Sequence, residues 1–318
     1  MRRLSSFGSA FLGRAMQALL VAIVVGMTSF AMMQALPGDA AYRIAAGRYG
    51  YDMMDAASAD AVRTELGLNQ PVTQQLITWL GSLARFDLGK SAVTGIPVAE
   101  ELKSLLSHSL LLAGAGVLVS LLIAIPVGIL AGLRPGGIFD RITLFMSVLL
   151  RAIPAFAIGV LLILVFAVHS KLLPVAGYQG PEYLVLPALT LGLGLAAVSS
   201  RIVRDAVRDA MTADWRLFSR TKGLSSQQTL KRHVLRNAAL PVVVYVGVQL
   251  AYVIEGVVIV ETIFAWPGVG HALVHAIFGR DVAMVQGTAL VLGLLYVALN
   301  LLIDLMCRGI DPRRRVSE

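Results

Sequence analysis

An all-α polytopic membrane protein with six transmembrane helices is the fold class this sequence predicts, on three observations. Apolar residues make up 57% of the 318 positions and charged residues only 14%, with a mean hydropathy of +0.77, a balance no soluble globular domain carries. Six apolar stretches follow one another, at about residues 15–33, 109–133, 142–168, 184–198, 241–263 and 283–307, most of them long enough to cross the hydrocarbon core. Lysine and arginine are unevenly shared between the connections: with the N-terminus inside, 18 fall on inner segments and eight on outer ones. That asymmetry puts both termini in the cytoplasm.

The net charge of +8 comes with no nucleic-acid motif, so a membrane surface and a protein partner account for the basic residues. The lone Cys307 rules out an internal disulfide and lies in an apolar run, where it reads as packing.

The elements follow in order. Arg2, Arg3 and Arg14 precede the first apolar stretch, which is longer than a signal-peptide core and is read as a retained helix. Between the first two spans, residues 55–66 are rich in helix formers and stop at Gly67, a C-cap, and Pro71 can open a further helix to about Arg85. The outer loop is therefore a small helical cap. Gly89, Lys90 and Ser91 match the end of a phosphate-binding loop, but the glycine needed five residues earlier is replaced by Ala84 and no strand leads into it. Gly128 and Gly132, four apart in the second span, allow another helix to come close.

Within the third span Arg151 and Pro154 stand out. A cation at that depth either faces a water-filled path, where it would attract a carboxylate, or snorkels to the inner surface. Residues 201–241 form the only long polar interruption between the later spans, with nine basic and three acidic residues. Ile202, Val203, Ala206, Val207, Ala210 and Met211 recur at helical spacing; Gly223 breaks the pattern; Ser225 and Gln228 then make a capping box for a second helix expected to end before Pro241. By charge alone this is an orienting cytoplasmic loop. After the fifth span, Pro267, Gly268 and Gly270 predict a break at the outer edge with a short helix there. His271 and His275, four apart on that helix, have the spacing of a metal pair or of two interfacial histidines, and no third ligand is evident. Glu255 and Asp304 are further acids in the spans.

Several of these stretches resemble one family in the same order: Leu36-Pro37-Gly38-Asp39, Leu66 to Pro71, Asp87 to Ser91, Arg220 to Leu224, Arg232 to Pro241, Glu261 to Gly270, Ala276 to Asp281, Asn300 to Asp304 and Asp311 to Arg313. They resemble the permease subunits of bacterial ABC importers, in the peptide and nickel branch. The resemblance implies a type I ABC importer permease fold in the inner membrane, divided into an N-terminal tail and first span (1–33), a periplasmic helical loop (34–108) and a core (109–318) with a cytoplasmic coupling loop (201–240).

It further implies that Asp214, Trp215, Arg216, Arg220, Lys222 and Gly223 touch an ATPase subunit. The Glu-Ala-Ala letters typical of other ABC importers are replaced here by Leu217, Phe218 and Ser219. The implied partners are a second homologous permease, two cytoplasmic ATPase subunits that carry ATP and Mg, and an extracytoplasmic binding protein; this chain is expected to bind no cofactor and to catalyse no reaction. Arg151 and Glu255 are candidates for the substrate path, and His271 and His275 for a metal. Short peptides are the first substrate expectation, and nickel or a metal chelate the second. A polytopic enzyme or a self-sufficient secondary transporter has little intramembrane chemistry to work with.

Overall fold

The computed structural model describes residues 2–35, 37–50, 55–85, 87–213 and 225–310. It is built almost wholly of helices and divides into two compact units, residues 1–109 with 267–298 and residues 110–266 with 299–318.

The first unit opens with α1 (Arg2–Ala35), followed by three short helices, α2 (Ala40–Tyr49), α3 (Ala56–Glu65) and α4 (Val72–Ala84). Their ends are set by local chemistry. The Asp39 carboxylate accepts from Ala41 N at 2.8 Å, and Asp55 and Ser58 cap α3 reciprocally, at 2.7 and 3.1 Å. Gly67 ends α3 at φ +63°, the left-handed conformation a glycine adopts without penalty, while Leu68 N donates to Arg63 O at 3.0 Å. Pro71 precedes α4, as expected. Small residues let α2 and α3 pack closely: Ala41, Ile44 and Ala45 meet Ala59 and Val62, and Arg48 grips Glu65 with two bonds of 2.6 and 3.1 Å. Trp79 of α4 lies against Gly26 of α1 and stacks on Phe30 at 6.4 Å.

Also in this unit, α10 (Val269–Phe278) and the start of α11 (Val282–Ile310) pack on Val98 and Leu102. Asp281 caps α11 by accepting from Met284 N at 3.1 Å, and it also receives the Ser91 hydroxyl and Val93 N. Ser91 is thus buried in a turn, 3% exposed, with its hydroxyl accepting from Thr94 N at 2.9 Å. This is a structural knot, and it accounts for Ser91 without a phosphate.

The second unit is organised on α5 (Val98–Leu133), α6 (Ile138–Ala152), α7 (Ala155–Leu162), α8 (Val185–Thr212) and α9 (Leu235–Ile263). α8 packs against α6, α7 and α9. Its approach to α5 is closer than any side chain would allow: a Cβ on Gly128 would lie 2.5 Å from Val203 Cβ and 2.7 Å from Ser200 O, and one on Gly132 2.7 Å from Arg204 O. The glycine pair therefore does what its spacing predicts.

Three expectations are corrected. The third apolar stretch is not one straight span: α6 and the segment 155–169 meet at 101° across Ile153 and Pro154. Ile153 adopts an extended backbone, ψ 126°, as a residue before proline prefers, and Pro154 O then starts α7 by accepting from Ala157 N at 2.9 Å. Pro241 does not end a helix; helical structure runs from Ser226, through a wide-turned stretch Leu230–Val234, into α9 with Pro241 inside it. A proline forgoes one donor, toward Asn237 O, and both residues lie exposed on the helix. The capping box before it is present, with Ser225 N donating to Gln228 Oε1 at 3.0 Å and Gln228 N to Ser225 Oγ at 3.2 Å. The fourth span does not stop at residue 198, because α8 carries on unbroken to Thr212.

By length and apolar character, three helices among the described residues are long enough to cross a membrane, Val98–Leu133, Pro181–Thr212 and Val282–Ile303, or four with the bent pair counted as one. The expected first and fifth spans lie on α1 and α9, whose apolar runs among the described residues are the shorter Met16–Met32 and Leu235–Leu250.

The α5 and α8 contact yields a test. Gly128→Ala is expected to lower stability by about 1–3 kcal/mol through overpacking. Gly114→Ala, on the same helix with nothing within 4 Å of the new Cβ, is expected to leave the melting temperature of the detergent-solubilised protein within a degree or two. Equal effects would show that the helices do not meet at Gly128.

Candidate functional site: a cavity beside the helix break, and the segment leading to the basic loop

The bend at Ile153 and Pro154 opens space between α6, α7, α8 and α9, and a cavity of about 630 Å³ occupies it. Most of the wall is aliphatic. Its polar groups are Arg151, Thr190, Tyr245, Gln249 and Tyr252. Gly194 adds to the open volume, since nothing lies within 4 Å of where its Cβ would be.

Arg151 lies in the last turn of α6, is exposed, and lines the cavity. No described carboxylate pairs with it. Tyr245, Gln249 and Tyr252 come from one face of α9, because residues four and three apart share a helix face. Gln249 is 1% exposed; its Nε2 donates to Ser199 Oγ at 2.8 Å and Ser120 Oγ at 3.1 Å, tying α9 to α8 and α5. Its Oε1 finds no donor among the described residues, and such a buried group costs about 1–3 kcal/mol. A second hydroxyl pair, Ser147 and Ser200 at 3.3 Å, joins α6 to α8.

Where α8 approaches the basic loop, Asp140 at the start of α6 gathers two arginines. Its Oδ1 accepts from Arg201 Nη1 at 3.0 Å and Arg204 Nε at 3.1 Å, and its Oδ2 from Arg204 Nη2 at 2.6 Å and Gly136 N at 2.9 Å. Asp140 is 5% exposed, so this is a charge cluster largely removed from water. It locks α6 to the stretch of α8 that leads toward residue 213. Asp214, Trp215, Arg216, Arg220, Lys222 and Gly223 lie outside the described residues.

Of the other sequence candidates, Glu255 stands on α9 between the lining residues Tyr252 and Gly256, and its side chain lies outside the description. His271 and His275, on α10, pack edge to face with ring centroids 4.5 Å apart. Among the described residues no three His, Cys, Asp or Glu side chains come together. Burial, and next the neighbouring His275, hold His271 below the ordinary histidine value.

Sequence reading missed Asp140, Tyr245, Gln249 and Tyr252. For the last three a signal was available: Gln249 is the single amide in the apolar run 242–254, in helical register with the two tyrosines. Asp140 and its arginines are 61 and 64 positions apart, and no local pattern connects them.

Comparison with known proteins decides what this architecture belongs to. Residues 124–316 match the family described as binding-protein-dependent transport system inner membrane component, and residues 9–94 match its N-terminal companion. The chain belongs to this family. It is 35% identical, over 97% of its length and 99% of the relative's, to the "Probable peptide ABC transporter permease protein y4tP" of Sinorhizobium fredii. It is 34% identical to the glutathione transport system permease protein of Escherichia coli (strain K12), covering 92% and 94% of the two chains.

Two solved structures share the fold. The MetNI methionine ABC transporter in inward-facing conformations matches with TM-score 0.56 and 20% identity, over 68% of this chain and 98% of that one. An amino acid ABC transporter with histidines matches at 0.53 and 14%, over 66% and 94%. The chain is therefore an inner-membrane permease subunit of a binding-protein-dependent ABC transporter, with the fold of a type I importer permease.

Two properties of the permease follow from the charges. Asp140→Asn removes the charge shared by Arg201 and Arg204, leaving Arg204 with Asp205 alone, and is expected to cost about 3 kcal/mol, read as a lowered melting temperature of the purified protein. An unchanged melting temperature would mean that the cluster carries no net stability. A histidine whose folded value is depressed binds fewer protons folded than unfolded as pH drops below 6.5, so stability falls with acidification in that window. His271→Gln should therefore lose less thermal stability than the parent between pH 7.5 and pH 5.5, and an equal loss would exclude His271 as a contributor.

Proposed function

We propose that this permease forms half of the translocation pathway of an ATP-driven importer for short peptides, received from a binding protein outside the inner membrane. The observation that carries the reading is near-full-length similarity to a protein named as a peptide ABC transporter permease, joined by relatives named for glutathione, itself a short peptide. A second homologous permease completes the pathway, and two ATPase subunits beneath it hold ATP and Mg; the chain binds no cofactor and catalyses no reaction of its own. Both termini face the cytoplasm, in keeping with the placement of lysine and arginine.

In this reading the coupling segment is the loop containing Asp214, Trp215, Arg216, Arg220, Lys222 and Gly223. Two observations support it. α8 runs unbroken to Thr212 and the next helix begins with the cap at Ser225, so the segment is flanked by helix on both sides. The Asp140 cluster ties the first of those ends to α6, so a push on the loop reaches the break beside the cavity. Nickel or a metal chelate is the competing cargo, and it is an outcome of the same experiment.

Uptake of a labelled dipeptide and of labelled nickel is compared in cells with and without this gene, before and after ATP depletion by arsenate and in the presence of a protonophore. Chain-dependent dipeptide uptake that arsenate abolishes and the protonophore spares is the expected result. Chain-dependent nickel uptake alone would replace the peptide reading, and uptake that survives ATP depletion would overturn the ATP-driven one. Reversing Arg220 and Lys222 together to Glu is expected to reduce uptake at least about tenfold while the protein stays in the membrane, as loss of a charged docking contact would.

A further inference from the structure

The cavity beside the α6 and α7 break brings together features that point to a ligand. Its volume, about 630 Å³, falls in the range of small-molecule pockets, about 300–1,000 Å³, and its wall is apolar with a few polar groups, the composition of such sites. Arg151 is the one cation among the described lining residues. Elsewhere in this unit the guanidiniums of α8 are matched from within the chain: Arg201 and Arg204 by Asp140, Arg208 by Asp205 and Asp209. Arg151 has no such match among the described residues. The guanidinium is exposed, so an incoming anion can reach it and gain a charge-assisted contact.

The remaining groups narrow the anion. A guanidinium offers a planar fork of donors that fits a carboxylate with two parallel hydrogen bonds. Tyr245 and Tyr252 line the same wall, and a tyrosine's apolar ring and polar hydroxyl suit a ligand that is part apolar and part polar. Gln249, on the same face of α9, keeps an acceptor that no described donor meets, the complement of an N–H group. Carboxylate, N–H and apolar side chain together describe the C-terminal end of a peptide. Gly194 leaves room for it.

We propose that this cavity is a substrate-contact site within the permease itself, in which Arg151 holds the terminal carboxylate of a short peptide between Tyr245 and Tyr252. The proposal rests on the peptide reading above and adds to it a selectivity filter inside the membrane subunit, distinct from selection by the binding protein. Peptides with a free C-terminal carboxylate are favoured over their amides. Arg151 acts by binding and orienting.

The test uses the complete importer in cells, with labelled dialanine and labelled dialanine amide as probes. The parent chain is expected to take up the acid at least about tenfold faster than the amide, the weight of a charge-assisted pair of hydrogen bonds. Arg151→Gln should bring the acid-to-amide ratio down severalfold, chiefly by slowing the acid. Arg151→Lys, which keeps the charge and loses the fork, should give an intermediate ratio, and it carries the test if the Gln variant does not assemble. Gly194→Leu, whose Cβ would have nothing within 4 Å and whose side chain takes up cavity volume, should slow both probes.

An acid-to-amide ratio unchanged in both Arg151 variants, with normal levels in the membrane, overturns the site while leaving the peptide importer intact. No chain-dependent uptake of either probe overturns the peptide reading and this proposal with it.

Discussion

The rest of the second unit depends on how closely α8 can approach α5. Lipid tails are as apolar as leucine, so helices in a bilayer gain little by burying apolar surface against each other and associate through packing and hydrogen bonds. Small residues set the distance. Gly116 faces Leu191, Gly192 faces Val119 and Gly116 O, Gly128 faces Val203 and Ser200 O, and Gly132 faces Val207 and Arg204 O. This seam of four glycines runs along most of the α5 and α8 interface. Once it is formed, Ser120 and Ser199 lie near enough to share Gln249, and α8 stands where Asp140 can reach Arg201 and Arg204. The polar contacts depend on the apolar seam, because a hydrogen bond cannot span the extra distance that a single Cβ would impose.

Against this rigid seam stand the irregular stretches. The helix breaks at Ile153, widens at Ile163–His169, and the chain turns at Ala265 with φ +45°, where Trp266 and Phe264 are wholly buried. Phe264 reaches in between Gly159 of α7 and Thr190 of α8, and Gly177 N donates to Phe264 O at 2.7 Å, so the turn is fixed by packing and by the loop between α7 and α8. Backbone interrupted at membrane depth leaves N–H and C=O groups to be satisfied elsewhere, which is tolerated where protein or a cavity lies alongside. The cavity borders the break at Ile153, in agreement with that rule.

Much of this was legible in the sequence, and the reason is that the legible parts are local. The Gly67 cap, the Asp55 helix start, the Ser225 and Gln228 box and the closeness implied by Gly128 and Gly132 each depend on residues within a turn or two of one another. The two proline errors have a common cause. Hydropathy summed over residues 142–168 cannot register a bend, and a proline alone does not say whether a helix breaks. At Pro154 the preceding residue turns extended and the proline carbonyl starts a new helix; at Pro241 the helix passes through. The Asp140 cluster joins residues more than 60 positions apart and is a property of the fold. The stripe of Tyr245, Gln249 and Tyr252 could have been read, since an amide on an apolar helix needs a reason to be there.

The two arginine environments of this unit show how one residue type serves opposite ends. Around Asp140 the attraction works against a desolvation cost, and four donors on one carboxylate tip the balance toward a fixed contact. That suits a joint between α6 and α8 that has to hold through every state of the transporter. At Arg151, only eleven positions along the same helix, no described carboxylate meets the guanidinium, which stays exposed on a largely apolar wall. A permanent partner there would neutralise the charge and close the site to any anion from outside. In the site proposed above, a bound anion would supply the match that Asp140 gives Arg204. Asp140 thus acts as a structural joint, and in that site a peptide carboxylate would be to Arg151 what Asp140 is to Arg204.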